Sequence, residues 1–135
     1  MKYLLDTHIL LWTLTGDSKL PAKVTEILNS EGSSTYFSSV SMWEIAIKRL
    51  VHPDKITDLT LQELIALSEK ANMSELPLRT RHTYLLETLS RPDNAPPHKD
   101  PFDRILISQA KSERMTFITH DDKLTSYTEP CILYV

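Results

Sequence analysis

Lys2-Tyr3-Leu4-Leu5-Asp6-Thr7-His8-Ile9-Leu10-Leu11-Trp12 runs a short apolar segment into an acid and straight on into a helical pattern. Segment 2–6 reads as a buried strand, and Ile9, Leu10, Leu11 and Trp12 belong to a helix from about Thr7 to Thr15. The same grammar recurs along the chain. Pro21 with Val24, Ile27 and Leu28 marks a helix ending near Gly32, and Thr35-Tyr36-Phe37-Ser38 is strand-like. A helix from about Val40 to Val51 carries Trp43, Ile47, Leu50 and Val51 on one face and stops before Pro53. Leu59 to Ala71 is amphipathic, with Leu61, Leu64, Ile65 and Ser68 inward. Met73–Leu78 reads as a short strand, Arg79–Ser90 as a helix and the proline-rich 91–99 as a loop. Pro101 opens a helix to about Arg114, and Met115–Thr119 is a strand. A short helix surrounds Lys123-Leu124, and Ile132–Val135 is the last strand. Strands alternating with helices predict an α/β domain with a largely parallel sheet.

The chain has 135 residues, 41% hydrophobic and 24% charged. That describes one globular domain, 1–135, able to bury a core without covalent staples. One cysteine, Cys131, leaves no disulfide framework and no thiolate zinc cluster, and points to a reducing cytoplasm. No window approaches a membrane span, and Asp6 arrives too early for a signal peptide. The two glycines, Gly16 and Gly32, are isolated, so neither a phosphate loop nor a dinucleotide fingerprint can be built. Net charge is −3; a nucleic-acid partner would then need a local positive field or metal ions.

Four acids punctuate the most apolar stretches: Asp6 after Leu5, Glu44 within Met42-Trp43-Glu44-Ile45, Asp103 after Phe102, and Asp121 beyond Phe117-Ile118-Thr119-His120. A carboxylate in such surroundings must be neutralised, paired or bound to a cation. Ligands of open α/β sheets collect beyond the carboxyl ends of the strands, where Asp6 and Asp121 stand. Two carboxylates about 4 Å apart repel by roughly 4 kcal/mol at an effective dielectric of about 20, which a dication reverses. Oxygen-rich sites of this type suit Mg²⁺ or Mn²⁺. Capping competes with ligation at every position. Ser41 and Glu44 have capping-box spacing, Asp100 precedes Pro101 as an N-cap with Asp103 in the first turn, and Asp6 and Asp121 can each cap the helix that follows. The five histidines show no zinc-ligand spacing and no Ser-His-Asp arrangement is readable.

Leu4-Leu5-Asp6-Thr7-His8, Ser38-Ser39-Val40-Ser41-Met42-Trp43-Glu44-Ile45, His98-Lys99-Asp100-Pro101-Phe102-Asp103-Arg104-Ile105 and Thr116-Phe117-Ile118-Thr119-His120-Asp121 together resemble the motifs of PIN-domain nucleases, and within them VapC-type toxins of prokaryotic toxin–antitoxin pairs. The resemblance runs in order over essentially the whole chain. It implies a three-layer α/β/α fold with a mainly parallel sheet and Mg²⁺- or Mn²⁺-dependent hydrolysis of RNA. The family's acids fall on Asp6, Glu44, Asp103 and Asp121, with Asp6 and Asp103 the first choices as direct ligands. Its accompanying hydroxyls fall on Thr7, Ser41 and Thr119. Doubled acids leave Asp100 competing with Asp103, and Asp122 with Asp121. The resemblance also implies a homodimer and a small antitoxin, for which Trp12 or Trp43 is a candidate anchor. A PIN-like binding module without catalysis is the competing reading. An aspartate-phosphorylated receiver or phosphatase is disfavoured because the first strand ends in Asp6-Thr7-His8, with no adjacent acid.

Overall fold

The computed structural model describes residues 1–54 and 56–135. Five strands form one sheet: β1 (Lys2–Leu5), β2 (Ser34–Ser38), β3 (Ser74–Leu76), β4 (Thr116–Thr119) and β5 (Ile132–Tyr134). Their spatial order is β3-β2-β1-β4-β5, and every pairing is parallel. All five carboxyl ends therefore share one edge, and β1 lies at the centre. Registry sets Leu5 beside Ile118, and the Asp6 amide donates to the Ile118 carbonyl at 2.9 Å, so the first acid leaves the sheet directly beside β4.

Side chains alternate across a strand, so neighbouring residues feed opposite layers. Leu4 and Phe117 enter one core with Val40, Leu106, Ile107 and Ala110; Leu5 and Ile118 enter the other with Ile9, Leu10, Val24, Ile45 and Leu64. Near-continuous apolar strands follow from this two-sided burial. Helices α1 (Thr7–Thr15), α2 (Ala22–Asn29) and α4 (Leu61–Lys70) pack into the second core, while α6 (Pro101–Glu113) brings Leu106, Ile107 and Ala110 to the first. Helix α3 (Ser39–Val51) gives Val40 to one core and Met42 and Ile45 to the other. The three-layer α/β/α architecture is thus present.

Local chemistry fixes the element ends. Gly16 closes α1 in the left-handed conformation at φ 66°, which a residue without a Cβ adopts freely. Thr60 and Glu63 form a reciprocal capping box at α4, and Asp100 caps α6 ahead of Pro101. Two expectations change. The helix read across Arg79–Ser90 is a single short turn, α5 (Thr80–Tyr84), followed by a 3₁₀ turn (Leu86–Thr88). Its cause is local: the His82 ring accepts from the Arg79 amide and binds Glu113, fixing the segment by side-chain contacts and not by a continuing helical ladder.

The apolar face read on α3 also points outward. Trp43 is 56% exposed, Leu50 81% and Val51 66%, whereas Ser41 and Glu44 are buried. Polar bonds to α1 decide the rotation of this helix, and the hydrophobic stripe yields to them.

The account of two cores divided by the sheet carries a stability prediction. Phe117, fully buried on the central pair of strands, should cost about 3–5 kcal/mol when changed to Ala, whereas Leu50→Ala should change stability by under about 0.5 kcal/mol. Urea unfolding of the two variants measures both.

Candidate metal centre

Burial of Asp6 is compensated by two donors. Its Oδ1 accepts from the Thr7 amide at 2.7 Å, the bond that caps α1, and its Oδ2 accepts from Thr119 Oγ1 at 2.7 Å. The cap is thus part of the site and not a rival to it. Thr119, fully buried on β4, also accepts from the Asp121 amide through the same oxygen at 3.0 Å, which ties the two strand-end acids together.

Glu44 arrives from α3. The Thr7 hydroxyl lies 2.6 Å from Glu44 Oε1 and 2.9 Å from Ser41 Oγ, and Lys48 binds Glu44 Oε2 one turn further on. The capping box suggested by Ser41 and Glu44 does not form: Ser38 caps α3 by accepting from the Val40 amide at 3.0 Å. Glu44 therefore lies in the second turn of α3, rotated inward toward Thr7.

Asp103 sits in the first turn of α6, and its amide donates to the capping Asp100 carboxylate at 3.1 Å. His98 Nε2 is 3.2 Å from Asp103 Oδ2, and His98 Nδ1 is 2.7 Å from the Tyr127 hydroxyl. Asp103 and Asp121 open onto a cleft of about 620 Å³ that Arg91, Lys99 and Lys123 also line. A second hollow of about 320 Å³ is lined by Thr7, Trp12 and Lys48. Asp6 and Glu44 line neither, being almost wholly buried. Asp122 is exposed at the cleft wall.

Electrostatics join these two halves. Burial pushes the Asp103 carboxyl up to about 8, with Asp6, Asp100, Glu44 and Asp121 each adding repulsion. Burial likewise raises Asp6 to about 6; Thr119 and the Thr7 amide oppose the rise, and Glu44 adds to it. Lys48 loses solvation, yet its bond to Glu44 and the charges of Glu44, Asp100 and Asp103 hold its ammonium above the ordinary value. Burial, with help from Arg91, lowers His98, while Asp100 and Asp121 oppose the shift.

An all-oxygen set of mutually repelling, partly desolvated carboxylates fits a hard divalent cation. Among the described residues, no three His, Cys, Asp or Glu side chains form a ready-made cage. The fit is therefore to an ion held by one or two carboxylates that keeps several waters, as Mg²⁺ does, and not to a dehydrated site. His8 and His120, both exposed, flank Trp12 in an aromatic cluster, with the ring of His120 stacked on Tyr134 at 5.6 Å. His98, Tyr127 and Lys48 join the neighbourhood without having been singled out by sequence. For Lys48 a signal existed, since Glu44 and Lys48 have the i, i+4 spacing of a helical ion pair. His98 lies in a proline-rich loop with no periodicity to mark it.

Raised carboxyl values fix the sign of the pH dependence. Folding favours the protonated acids, so their stabilisation is complete below about pH 4 and is lost as pH rises, through about 6 for Asp6 and about 8 for Asp103. In EDTA, the melting temperature of the parent should fall more steeply between those limits than that of Asp103→Asn. Parallel melting curves for the two proteins would contradict the repulsion described here.

Comparison with known proteins bears on family and fold. The family model described as PIN domain matches residues 3–130. The structure is similar to one described as the crystal structure of VapBC2 from Rickettsia felis bound to a DNA fragment from their promoter, with a TM-score of 0.66 at 15% identity, covering 100% of this chain and 98% of that one. At that identity the likeness concerns the fold. No curated protein matches the chain in sequence. With a family model spanning nearly all of its length, the chain belongs to the PIN domain family.

Proposed function

We propose that residues 1–135 form a single nuclease domain that hydrolyses RNA phosphodiester bonds with Mg²⁺ or Mn²⁺, acting in the cytoplasm as the toxin of a toxin–antitoxin pair. The observation that carries this reading is the crowding of acids around Asp103, whose pKa is raised first by burial and then by repulsion from Asp6, Asp100, Glu44 and Asp121. Asp6 and Asp103 are assigned as direct ligands. Glu44 and Asp121 complete the centre through water or by orienting the nucleophile, and Asp100 serves as the cap of α6.

A divalent ion held by Asp6 and Asp103 would offset phosphate charge and lower the pKa of a nearby water, so that its deprotonated form could serve as nucleophile. Residues of the chain set the rest. Thr119 and the Thr7 amide fix the orientation of Asp6, and the Thr7 hydroxyl fixes Glu44. Lys48 balances one of the acids, so the centre is not four uncompensated charges. Arg91, Lys99 and Lys123 line the adjoining cleft beside Asp100, Asp103, Asp121 and Asp122, so these cations offset the acids only in part and a bound dication would be needed to draw in a polyanion. Glu44 accepts a hydrogen bond from the Thr7 hydroxyl at one oxygen and from the Lys48 ammonium at the other, so a proton from the attacking water is more readily taken by Asp121.

The toxin assignment draws on the named VapBC2 neighbour and on one surface feature. Trp43 is 56% exposed and packs edge-on against Phe102 at 5.0 Å, immediately before Asp103, where it offers an apolar anchor for a small antitoxin covering the centre. A homodimer belongs to the same proposal. Among the described residues, no helix is long and apolar enough to cross a membrane.

Purified protein should cleave single-stranded RNA when Mg²⁺ or Mn²⁺ is added, stop in EDTA, and fall to background in Asp6→Asn and Asp103→Asn. Absence of cleavage by the parent under all these conditions, with RNA still bound, would favour the non-catalytic binding module instead.

A further inference from the structure

Asp103 faces an unusual mechanical problem. Four other carboxylates repel it, and it lies at the rim of an open cleft where a turn of its side chain toward solvent would relieve the strain. Yet its carboxylate is held. His98 Nε2 lies 3.2 Å from Oδ2, while no hydrogen bond engages Oδ1 among the described residues. The His98 side chain is only 7% exposed, and its other nitrogen lies 2.7 Å from the Tyr127 hydroxyl, with the two rings at right angles and 5.4 Å apart. Tyr127 is itself buried, with the Arg91 guanidinium 5.0 Å above its ring; Arg91 also binds Ser126 at 2.9 Å and the Pro96 carbonyl.

A neutral imidazole has one donor and one acceptor nitrogen, and an ionised carboxylate only accepts. With Asp103 ionised, Nε2 must carry the proton, and Nδ1 must accept from Tyr127. The ionised carboxylate thus selects the tautomer, Tyr127 completes it by donating to the other nitrogen, and the ring packing fixes its direction. Outer partners of this kind are what hold ligands in place around metals.

We propose that His98 is a positioning residue, locked by Tyr127, that braces one oxygen of Asp103 and leaves the other presented for a divalent cation. The brace rests on the metal-dependent reading above, because it prepares the ligand that reading requires. Arg91 supports the arrangement, its guanidinium joining the Pro96 carbonyl in loop 91–99 to Ser126 at the end of the 3₁₀ turn (Asp122–Ser126), next to Tyr127.

Calorimetric titration of the purified protein with Mn²⁺ tests it without recourse to activity. His98→Leu should weaken Mn²⁺ binding by about 10–100-fold. His98→Gln, which keeps an N–H near the Nε2 position, should recover most of that loss. Tyr127→Phe preserves the ring packing, so its melting temperature in EDTA should stay near the parent's while Mn²⁺ binding weakens several-fold. Parental affinity in His98→Leu, or a Gln variant as weak as Leu, overturns the brace and leaves the nuclease reading standing. A parent that binds no Mn²⁺ removes both.

Discussion

Repulsion among carboxylates gathered at one edge of a parallel sheet organises much of this molecule. Asp6 is fixed between β1 and β4 by the Ile118 carbonyl on its backbone and by Thr119 and Thr7 on its side chain. From that anchored acid the others take their places. Thr7 reaches Glu44, Thr119 reaches Asp121, and α6 brings Asp103 into the same field. Asp6, Glu44 and Asp121 are each supported by a cap, a hydroxyl or a lysine, and Asp103 by the His98 imidazole, so the cluster tolerates part of its own charge without a cation. The support is incomplete, because Asp103 remains pushed up to about 8. An incompletely balanced site of hard oxygen donors is poised to bind a dication and to release a proton in doing so.

Stability and function draw on the same bonds here. The bond that caps α1 also aims Asp6, and the bond that orients Glu44 also sets the rotation of α3. Because Ser41 and Glu44 turn inward, the apolar residues Trp43, Leu50 and Val51 are left facing solvent. A helix that buries two polar residues and exposes large apolar ones departs from ordinary amphipathic packing. The departure has a definite physical source in the Thr7–Ser41–Glu44 contacts, and a functional consequence in an exposed apolar rim beside Phe102.

Much of the architecture was legible beforehand because its signals are local. Lys2-Tyr3-Leu4-Leu5 and Thr116-Phe117-Ile118-Thr119 are buried on both faces and read as continuous apolar strands, and Gly16 and Pro101 mark helix ends by their own backbone preferences. The nearness of Asp6 and Asp121, linked through Thr119, followed from their strand-end placement once β1 and β4 proved to be neighbours. Features set by distant partners were not legible. Ser41 and Glu44 have the spacing of a capping box, yet Thr7, 34 and 37 residues away, takes both side chains. The interruption after Tyr84 depends on His82 meeting Glu113, 31 residues on. His98 and Tyr127, 29 residues apart, carry no shared pattern and meet only in the folded chain.

The most direct measurement of the central claim is the carboxyl titration of the cation-free protein followed by ¹³C NMR. Asp103 should titrate near 8 and Asp6 near 6, with the Asp103 value falling when Asp6 is replaced by Asn. An Asp103 carboxyl that titrates near its ordinary 3.8, indifferent to Asp6→Asn, would mean that the acids do not share a field and that no cation is needed to reconcile them.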